Sequence, residues 1–299
     1  MEFNIAGMNI SVWSFVGMAA FLVFAGALGC LLAGLDRKFS ARMQGRVGPK
    51  VLQPLWDVRK LRAKEDATVN GAQDLYVRLY FLFVILAGLA FFAGANFLLC
   101  VFILTLAELF LIVAAYASRS PYAEIGAERE AVQVMAYEPM VLLVAVGVYM
   151  ACGSFRVEDA IAAELPLVAY LPFLFIGFLY VLTIKLRKSP FDISMAEHAH
   201  QEIVRGLSTE FSGKTLALVE VAHWYETVLF LGWTAMFVLW QGSAASIAVA
   251  VVAALVVWLL EIWIDNSFAR VKWQSMLKTA WWAALAAGAV NIVYLMVFF

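Results

Sequence analysis

Long apolar stretches recur along the whole chain, and they constrain its fold more than any other feature. A helix needs about 20 apolar residues to cross a membrane. Stretches of this length cover about residues 12–35, 75–95, 97–116, 131–151, 167–186, 215–240, 244–264 and 279–298. They are continuously apolar, whereas the strands of a membrane β-barrel alternate apolar and polar residues. The sequence therefore predicts an all-α, polytopic membrane protein with about eight transmembrane helices in a single transmembrane domain, residues 1–299.

The composition excludes an ordinary soluble domain. Hydrophobic residues make up 64% of the chain and charged residues 14%, and the mean hydropathy is +0.87. The first apolar stretch is too long for a signal peptide and has no basic segment before it, since Glu2 is the only charge before Asp36. We therefore expect it to remain in the protein as a membrane helix.

The basic residues are concentrated in four charged connections. Apart from Arg156, the 21 Lys and Arg residues lie in or beside the connections that follow the first, third, fifth and seventh apolar stretches. Basic residues favour the cytoplasmic side of a membrane. The pattern predicts that these connections face the cytoplasm and that both termini lie outside, in the cytoplasmic membrane of a bacterium or archaeon.

Sequence motifs for a redox or catalytic centre are missing. Cys30, Cys100 and Cys152 are far apart and lack the spacing of an iron–sulfur site. There is also no Walker A loop, GxGxxG motif, nucleophile elbow or pair of haem-binding histidines within a span. We predict no cofactor, no metal and no catalytic centre in this chain, and nothing in it points to a nucleic-acid partner.

The first connection contains an amphipathic segment. Leu55, Val58 and Leu61 recur at helical spacing, and basic residues occupy the positions between them. This pattern is typical of a helix that lies in the membrane interface. It could serve only to anchor the chain to anionic lipid, or it could belong to a docking surface.

Several ionisable residues fall inside the predicted spans, where they are costly and therefore functional candidates. Glu138 precedes Pro139, which should kink its helix. Glu220, His223 and Glu226 follow one another at intervals of three residues, so they form a slowly winding ribbon on one helix. With Glu108 as a weaker member, they suggest a relay for protons or ions. A purely structural polar network is the alternative.

The third connection gathers titratable residues in the stretch "HAHQEIVRGLSTEFSG". His198 and His200 are two residues apart, a spacing that places them on different sides of a helix and disfavours a metal site. His198 and Glu202 could pair instead. We expect a compact polar loop that docks against something outside the membrane. The residues alone thus suggest coupling between an external partner and charge movement in the membrane.

The connections also resemble one known family. Their motifs are similar to those of the membrane subunit shared by respiratory complex I, where it is subunit 1, and the energy-converting [NiFe] hydrogenases. In the first connection the matching residues are Asp36, Arg37, Lys38, Gln44, Arg46, Gly48, Pro49, Gln53, Pro54, Asp57, Lys60, Leu61, Lys64 and Glu65. In the second they are Gly126, Arg129, Gln133, Tyr137 and Glu138. In the third they are Pro190, Phe191, Asp192, Glu202, Val204, Gly206, Glu210, Phe211, Ser212 and Gly213. In the fourth they are Arg270, Lys272, Trp273 and Met276.

Departures from the complex I pattern favour the hydrogenase branch. Only "KVL" separates Pro49 from Gln53, as in the hydrogenases, and "RSPYAEIGAERE" is similar to their second connection. The stretch "HAHQEIVRGLSTEFSGKTLALVEVAHWYE" looks like the Ech-type subunit. His223 stands where complex I has a glutamate.

The resemblance implies a function. An Ech-type subunit anchors a ferredoxin-dependent hydrogenase complex and links electron transfer and H2 formation to H⁺ or Na⁺ translocation. Its partners are hydrogenase large and small subunits with Ni–Fe and iron–sulfur clusters, a ferredoxin-like iron–sulfur subunit and an antiporter-like membrane subunit. The residues expected to dock and couple are Asp36, Arg37, Arg46, Asp57, Lys60, Arg129, Asp192, His198, His200, Glu202, Arg205 and Glu210. A complex I subunit 1 with a quinone site and a stand-alone ion transporter remain as alternatives.

Overall fold

In a computed structural model, the structure describes residues 2–5, 8–65, 70–195, 203 and 205–298. A short antiparallel hairpin, β1 (Glu2–Ile5) and β2 (Met8–Ser11), precedes the helices. The helices are α1 (Val12–Met43), α2 (Gln53–Ala63), α3 (Gly71–Phe92), α4 (Phe97–Ala117), α5 (Pro121–Cys152), α6 (Val157–Ala162), α7 (Leu167–Tyr170), α8 (Pro172–Lys185), α9 (Gly213–Val238), α10 (Ala244–Ser267) and α11 (Trp273–Phe298), with a 3₁₀ helix at Gly206–Ser208.

Six helices of the described part are long and apolar enough to span a membrane: α1, α3, α4, α5, α10 and α11. The remaining two predicted spans correspond to α8, which has 14 residues, and α9, which has 26. Glu220, His223 and Glu226 lower the hydropathy of α9. The prediction of an all-α, polytopic membrane protein is confirmed.

Several helix boundaries differ from the prediction: α1 runs to Met43, eight residues beyond the predicted span, and α11 begins at Trp273, six residues before it. The second connection is helical for most of its length, because α5 begins at Pro121, ten residues before the predicted span. Proline suits a first helical turn, where its missing N–H is not needed. The predicted span 167–186 is broken at Leu171 (φ −125°, ψ 49°), because Pro172 disfavours helical backbone in the residue before it.

Helix α2 has the predicted amphipathic character in part. Val58 is buried and Leu61 half-buried against the bundle, but Leu55 and Trp56 are exposed. The Arg59 guanidinium lies 5.7 Å from the centre of the Trp56 ring. The helix therefore packs on α9 and α1 with one side and presents an apolar and basic surface with the other.

The core is organised around two long helices. Helix α9 packs against α1, α2, α3 and α10, and α5 packs against α4, α8, α11 and the 3₁₀ helix. The segment after α8 contacts the C-terminal parts of α1 and α10 and the N-terminal part of α5. These parts therefore lie at the same end of the bundle, which we call the loop end. All the charged groups discussed below lie toward this end.

Candidate functional site

A group of buried charged side chains meets where α4, α5, α8 and α9 converge. Lys185 Nζ lies 3.2 Å from Glu108 Oε1. Arg187 Nη2 lies 2.9 Å from Glu130 Oε1 and 3.8 Å from Glu108 Oε2. Glu108 and Glu130 are both almost fully buried. Two cations from the end of α8 thus bind two carboxylates on the neighbouring helices.

Helix α9 extends this group with His223 and Glu226. The Arg187 guanidinium contacts His223 Nε2, and His223 Nε2 lies 4.0 Å from Glu226 Oε2. The Tyr80 hydroxyl on α3 donates to Glu226 Oε1 at 2.8 Å. We refer to Glu108, Glu130, Lys185, Arg187, His223 and Glu226, with Tyr80, as the buried ionic network.

Local structure at the end of α8 directs its basic residues to different sides. Arg187 has a left-handed backbone (φ 53°), and its N–H donates to the carbonyl of Ile184 at 3.0 Å, which ends the helix. Lys185 Nζ also lies 3.7 Å from the centre of the Tyr137 ring, a close cation–π contact. Lys185 and Arg187 therefore face the network, whereas Lys188 faces α1 and α10.

The network contains three carboxyl groups but two basic side chains, Lys185 and Arg187, besides His223. Burial alone would lower the pKa of the Arg187 guanidinium, but Glu130 and the other acids around it raise that pKa above its ordinary value. Arg187 therefore stays charged at every physiological pH. Because buried charges must be balanced, the third carboxyl needs a proton or a further cation.

The network borders an open cavity of about 880 Å³ at the loop end. Arg187, His223 and Glu226 reach it from the network, and residues of the first, third and fourth connections form its walls. Most of the side chains that line it are polar or charged, which differs from the mainly apolar lining of most small-molecule sites. The cavity provides a water-sized route between the loop end and the network.

A second ionic cluster joins three connections at this cavity. Lys188 pairs with Asp36, and its Nζ lies 3.7 Å from Asp265 Oδ2. The N–H of Ser189 donates to Asp265 Oδ1 at 2.8 Å. Burial would lower the pKa of the Lys188 amine, but Asp36 and Asp265 raise it above its ordinary value. These contacts hold the start of the third connection against α1 and α10.

Three of the five predicted relay residues come together in the network: Glu108, His223 and Glu226. Glu220 is half-buried and lines the open cavity. Glu138 is half-buried beside a smaller pocket that Lys185 also lines. A role for any of them in ion movement stays a prediction.

The predicted docking residues occupy the loop end, but in different settings. Asp36, Arg37, Arg46 and Asp192 line the open cavity, and Arg37 Nη1 lies 2.7 Å from Asp57 Oδ2. Arg129 on α5 donates to the carbonyl of Ile193 at 3.5 Å, and this contact joins the third connection to α5. Lys60, Arg205 and Glu210 are exposed. His198, His200 and Glu202 lie outside the described residues, as does the predicted pairing of His198 with Glu202.

Several residues of the site, and one buried acid outside it, were not predicted from the sequence. Glu130 was assigned to a connection, although its helical position and burial put it in the network. Lys185, Arg187 and Lys188 look in sequence like an ordinary basic flank of a membrane helix. Glu261 is a lone carboxylate within an apolar stretch. Its predicted depth in the membrane could have identified it as a functional candidate.

The fold and the buried charges define the class of this protein: a polytopic helical membrane protein with an ionic network in its interior. Comparison with known proteins identifies the family. A family model described as NADH dehydrogenase matches residues 16–296, and the chain belongs to this family. The H subunit of the NADH-quinone oxidoreductase of Geobacillus kaustophilus is 32% identical over 313 residues, which cover 93% of this chain and 92% of that protein. Its counterpart in Anoxybacillus flavithermus is 30% identical over 316 residues, covering 95% and 93%.

A solved structure supports the same assignment. A chain of the membrane-bound sulfane sulfur reductase, an archaeal respiratory membrane complex, matches with a TM-score of 0.83 at 25% identity. The match covers 94% of this chain and 99% of that chain. The resemblance to complex I subunit 1 is therefore confirmed. The protein is a complex I subunit 1-like, multi-pass membrane subunit of an ion-translocating respiratory oxidoreductase complex.

Proposed function

We propose that this chain is the membrane-anchoring and coupling subunit of an Ech-type energy-converting [NiFe] hydrogenase. In this proposal it holds a peripheral arm of hydrogenase large and small subunits and a ferredoxin-like iron–sulfur subunit. It also contacts an antiporter-like membrane subunit. The arm transfers electrons from reduced ferredoxin to protons, and this chain converts the associated changes into H⁺ or Na⁺ translocation.

The observation that carries the proposal is the uneven charge of the buried ionic network beside the open cavity. A shift in position or charge at the cavity acts on Arg187 and through it on Glu130 and Glu226. Because buried charges are poorly screened, such a shift changes the proton or ion occupancy of the network. The subunit can then drive ion movement without carrying electrons.

Two features favour the hydrogenase over the NADH-quinone alternative. The first connection is short between Pro49 and Gln53, as in the hydrogenase branch. The cavity is lined mainly by polar and charged groups, a poor match for an apolar quinone tail. The alternative rests on the named relatives in the two bacteria, whose proteins are subunits of NADH-quinone oxidoreductase.

The test is purification of the native complex in mild detergent, followed by mass spectrometry and two activity assays. We expect Ni–Fe and iron–sulfur subunits to co-purify, and we expect H2 evolution with reduced ferredoxin. NADH-dependent quinone reduction without H2 evolution would establish the complex I alternative. Ion flux catalysed by the isolated chain in liposomes, with no co-purifying subunits, would indicate a stand-alone transporter.

A further inference from the structure

Glu261 is a completely buried acid that lies outside the buried ionic network. It is on α10, with an exposed fraction of 0%. Neither of its carboxyl oxygens accepts a hydrogen bond from any described residue. An ionised carboxylate without donors in the interior of a membrane protein is very unfavourable.

The surroundings of Glu261 suit a carboxylic acid better than a carboxylate. Thr183 on α8 adjoins the Glu261 carboxyl, but its hydroxyl donates to the carbonyl of Leu179 at 3.3 Å. While it donates to Leu179, the Thr183 hydroxyl is able to accept a hydrogen bond from Glu261 but not to donate one to it. A protonated Glu261 has a partner there, whereas an ionised one does not.

The charged groups that act on Glu261 are Lys188, from the segment after α8, and Asp265, one turn further along α10. Lys188 is already held by Asp36 on α1 and lies 3.7 Å from Asp265. Its charge is thus balanced without Glu261. Both Lys188 and Asp265 line the open cavity.

We propose that Glu261 is a proton-binding site, separate from the buried ionic network, that exchanges with the open cavity past Lys188 and Asp265. In the loaded state Glu261 is neutral and donates to Thr183. On release, the O–H bond breaks, the proton passes to Asp265 or to water in the cavity, and the Glu261 carboxylate takes Lys188 as its counter-ion. No oxidant or reductant takes part.

The link between this site and the network is the short segment from Lys185 to Lys188. Lys185 and Arg187 bind the network, and Lys188 binds the cluster next to Glu261. A displacement of this segment moves both sets of charges together. This coupling rests on the proposed function, whereas proton binding by Glu261 does not.

The test is infrared spectroscopy of the native complex in membranes, in H2O and in D2O, without any electron donor. A protonated carboxyl group has a carbonyl band that is distinct from the carboxylate bands and shifts in D2O. We expect this band to lose one carboxyl's intensity in Glu261→Gln. Glu164→Gln, which changes an exposed acid, is the matched control and should leave the band unchanged.

An unchanged band in Glu261→Gln would show that Glu261 is ionised and would overturn the proposal. Thr183→Val is a second, milder variant in case Glu261→Gln does not fold. It removes the hydrogen-bond acceptor, so the band of a protonated Glu261 should shift, while an ionised Glu261 would give no shift. Because no donor is needed, this result is independent of whether the complex is a hydrogenase.

Discussion

Arg187 is the residue on which most of the buried ionic network depends. Its guanidinium contacts Glu130, Glu108 and His223, and its side chain is 14% exposed. Because one cation serves several buried groups, removing it leaves more than one of them without a partner. Removing a single carboxyl has a smaller effect, since Arg187 keeps the others.

We therefore predict that Arg187→Met strongly destabilises the protein. Removing one partner of a buried ion pair costs about 3–5 kcal/mol, and the melting temperature of the purified complex should fall accordingly. Adding Glu130→Gln to Arg187→Met should restore part of the loss, because it removes the unpaired carboxylate. Arg62→Gln, at an exposed position on α2, is the control. A melting temperature unchanged by Arg187→Met would argue against this central role.

Lys188 gives a prediction about pH. Its pKa is raised above the ordinary lysine value by Asp36 and Asp265 against the opposing effect of burial. The pairing thus stabilises the fold fully below that ordinary value, and the contribution is lost as the pH rises through the raised pKa. We expect amine-reactive labelling of Lys188 at mildly alkaline pH to be slow, and to become faster in Asp36→Asn. Asp57→Asn removes the ion-pair partner of Arg37 instead. In this variant the labelling of Lys188 should stay slow.

Equal labelling of Lys188 in the two variants would contradict this assignment.

The ion pairs of Lys188 also show why individual partners are hard to predict from the sequence. Glu108 and Glu226 could be predicted because an acid inside an apolar stretch is conspicuous. Lys185, Arg187 and Lys188 could not, since a basic flank is the ordinary end of a membrane helix, and only the folded chain turns neighbouring residues toward different partners.

Among the elements, the long helices can be predicted directly from the hydropathy of the sequence, but their ends cannot. The apolar stretches predicted the presence and order of α1, α3, α4, α9, α10 and α11. Residues 121–130 are too polar to mark a span, but they extend α5 because its buried side packs on the 3₁₀ helix. Hydropathy averages over both sides of a helix and cannot detect such one-sided burial. The break before Pro172 is different, because its cause is the proline itself, which is visible in the sequence.

The contact between α5 and the 3₁₀ helix depends on Gly126. A Cβ atom at this position would overlap the backbone of Gly206 and Leu207. We predict that Gly126→Ala displaces the third connection and destabilises the protein by about 1–3 kcal/mol, the usual range for overpacking. Gly71→Ala is the control, because an added Cβ there meets nothing within 4 Å. Thermal melting of both variants, together with limited proteolysis of the third connection, measures the difference.

A Gly126→Ala variant that melts and resists proteolysis like the control would show that the connection adapts to the extra atom. Such a result would argue against a fixed contact between α5 and the 3₁₀ helix. It would also remove one reason to expect that a partner bound at the loop end acts mechanically on Arg187.

At the scale of the whole molecule, the subunit combines a rigid bundle with a charged end. The loop end brings the first, third and fourth connections around one cavity, and the network lies directly beside it. Under the proposed function, a partner that binds at this end acts on these buried charges.

The last prediction tests that coupling in the native complex. Glu226→Gln preserves an acceptor for the Tyr80 hydroxyl but removes a group able to gain and lose a proton. We expect H2 formation from reduced ferredoxin to continue while H⁺ or Na⁺ uptake into vesicles falls to near background. Glu164→Gln, an exposed acid, should change neither rate. Because the proposed function requires a carboxyl of the network to alternate between two charge states, an unchanged ratio of ions to electrons in Glu226→Gln would argue against translocation through Glu226.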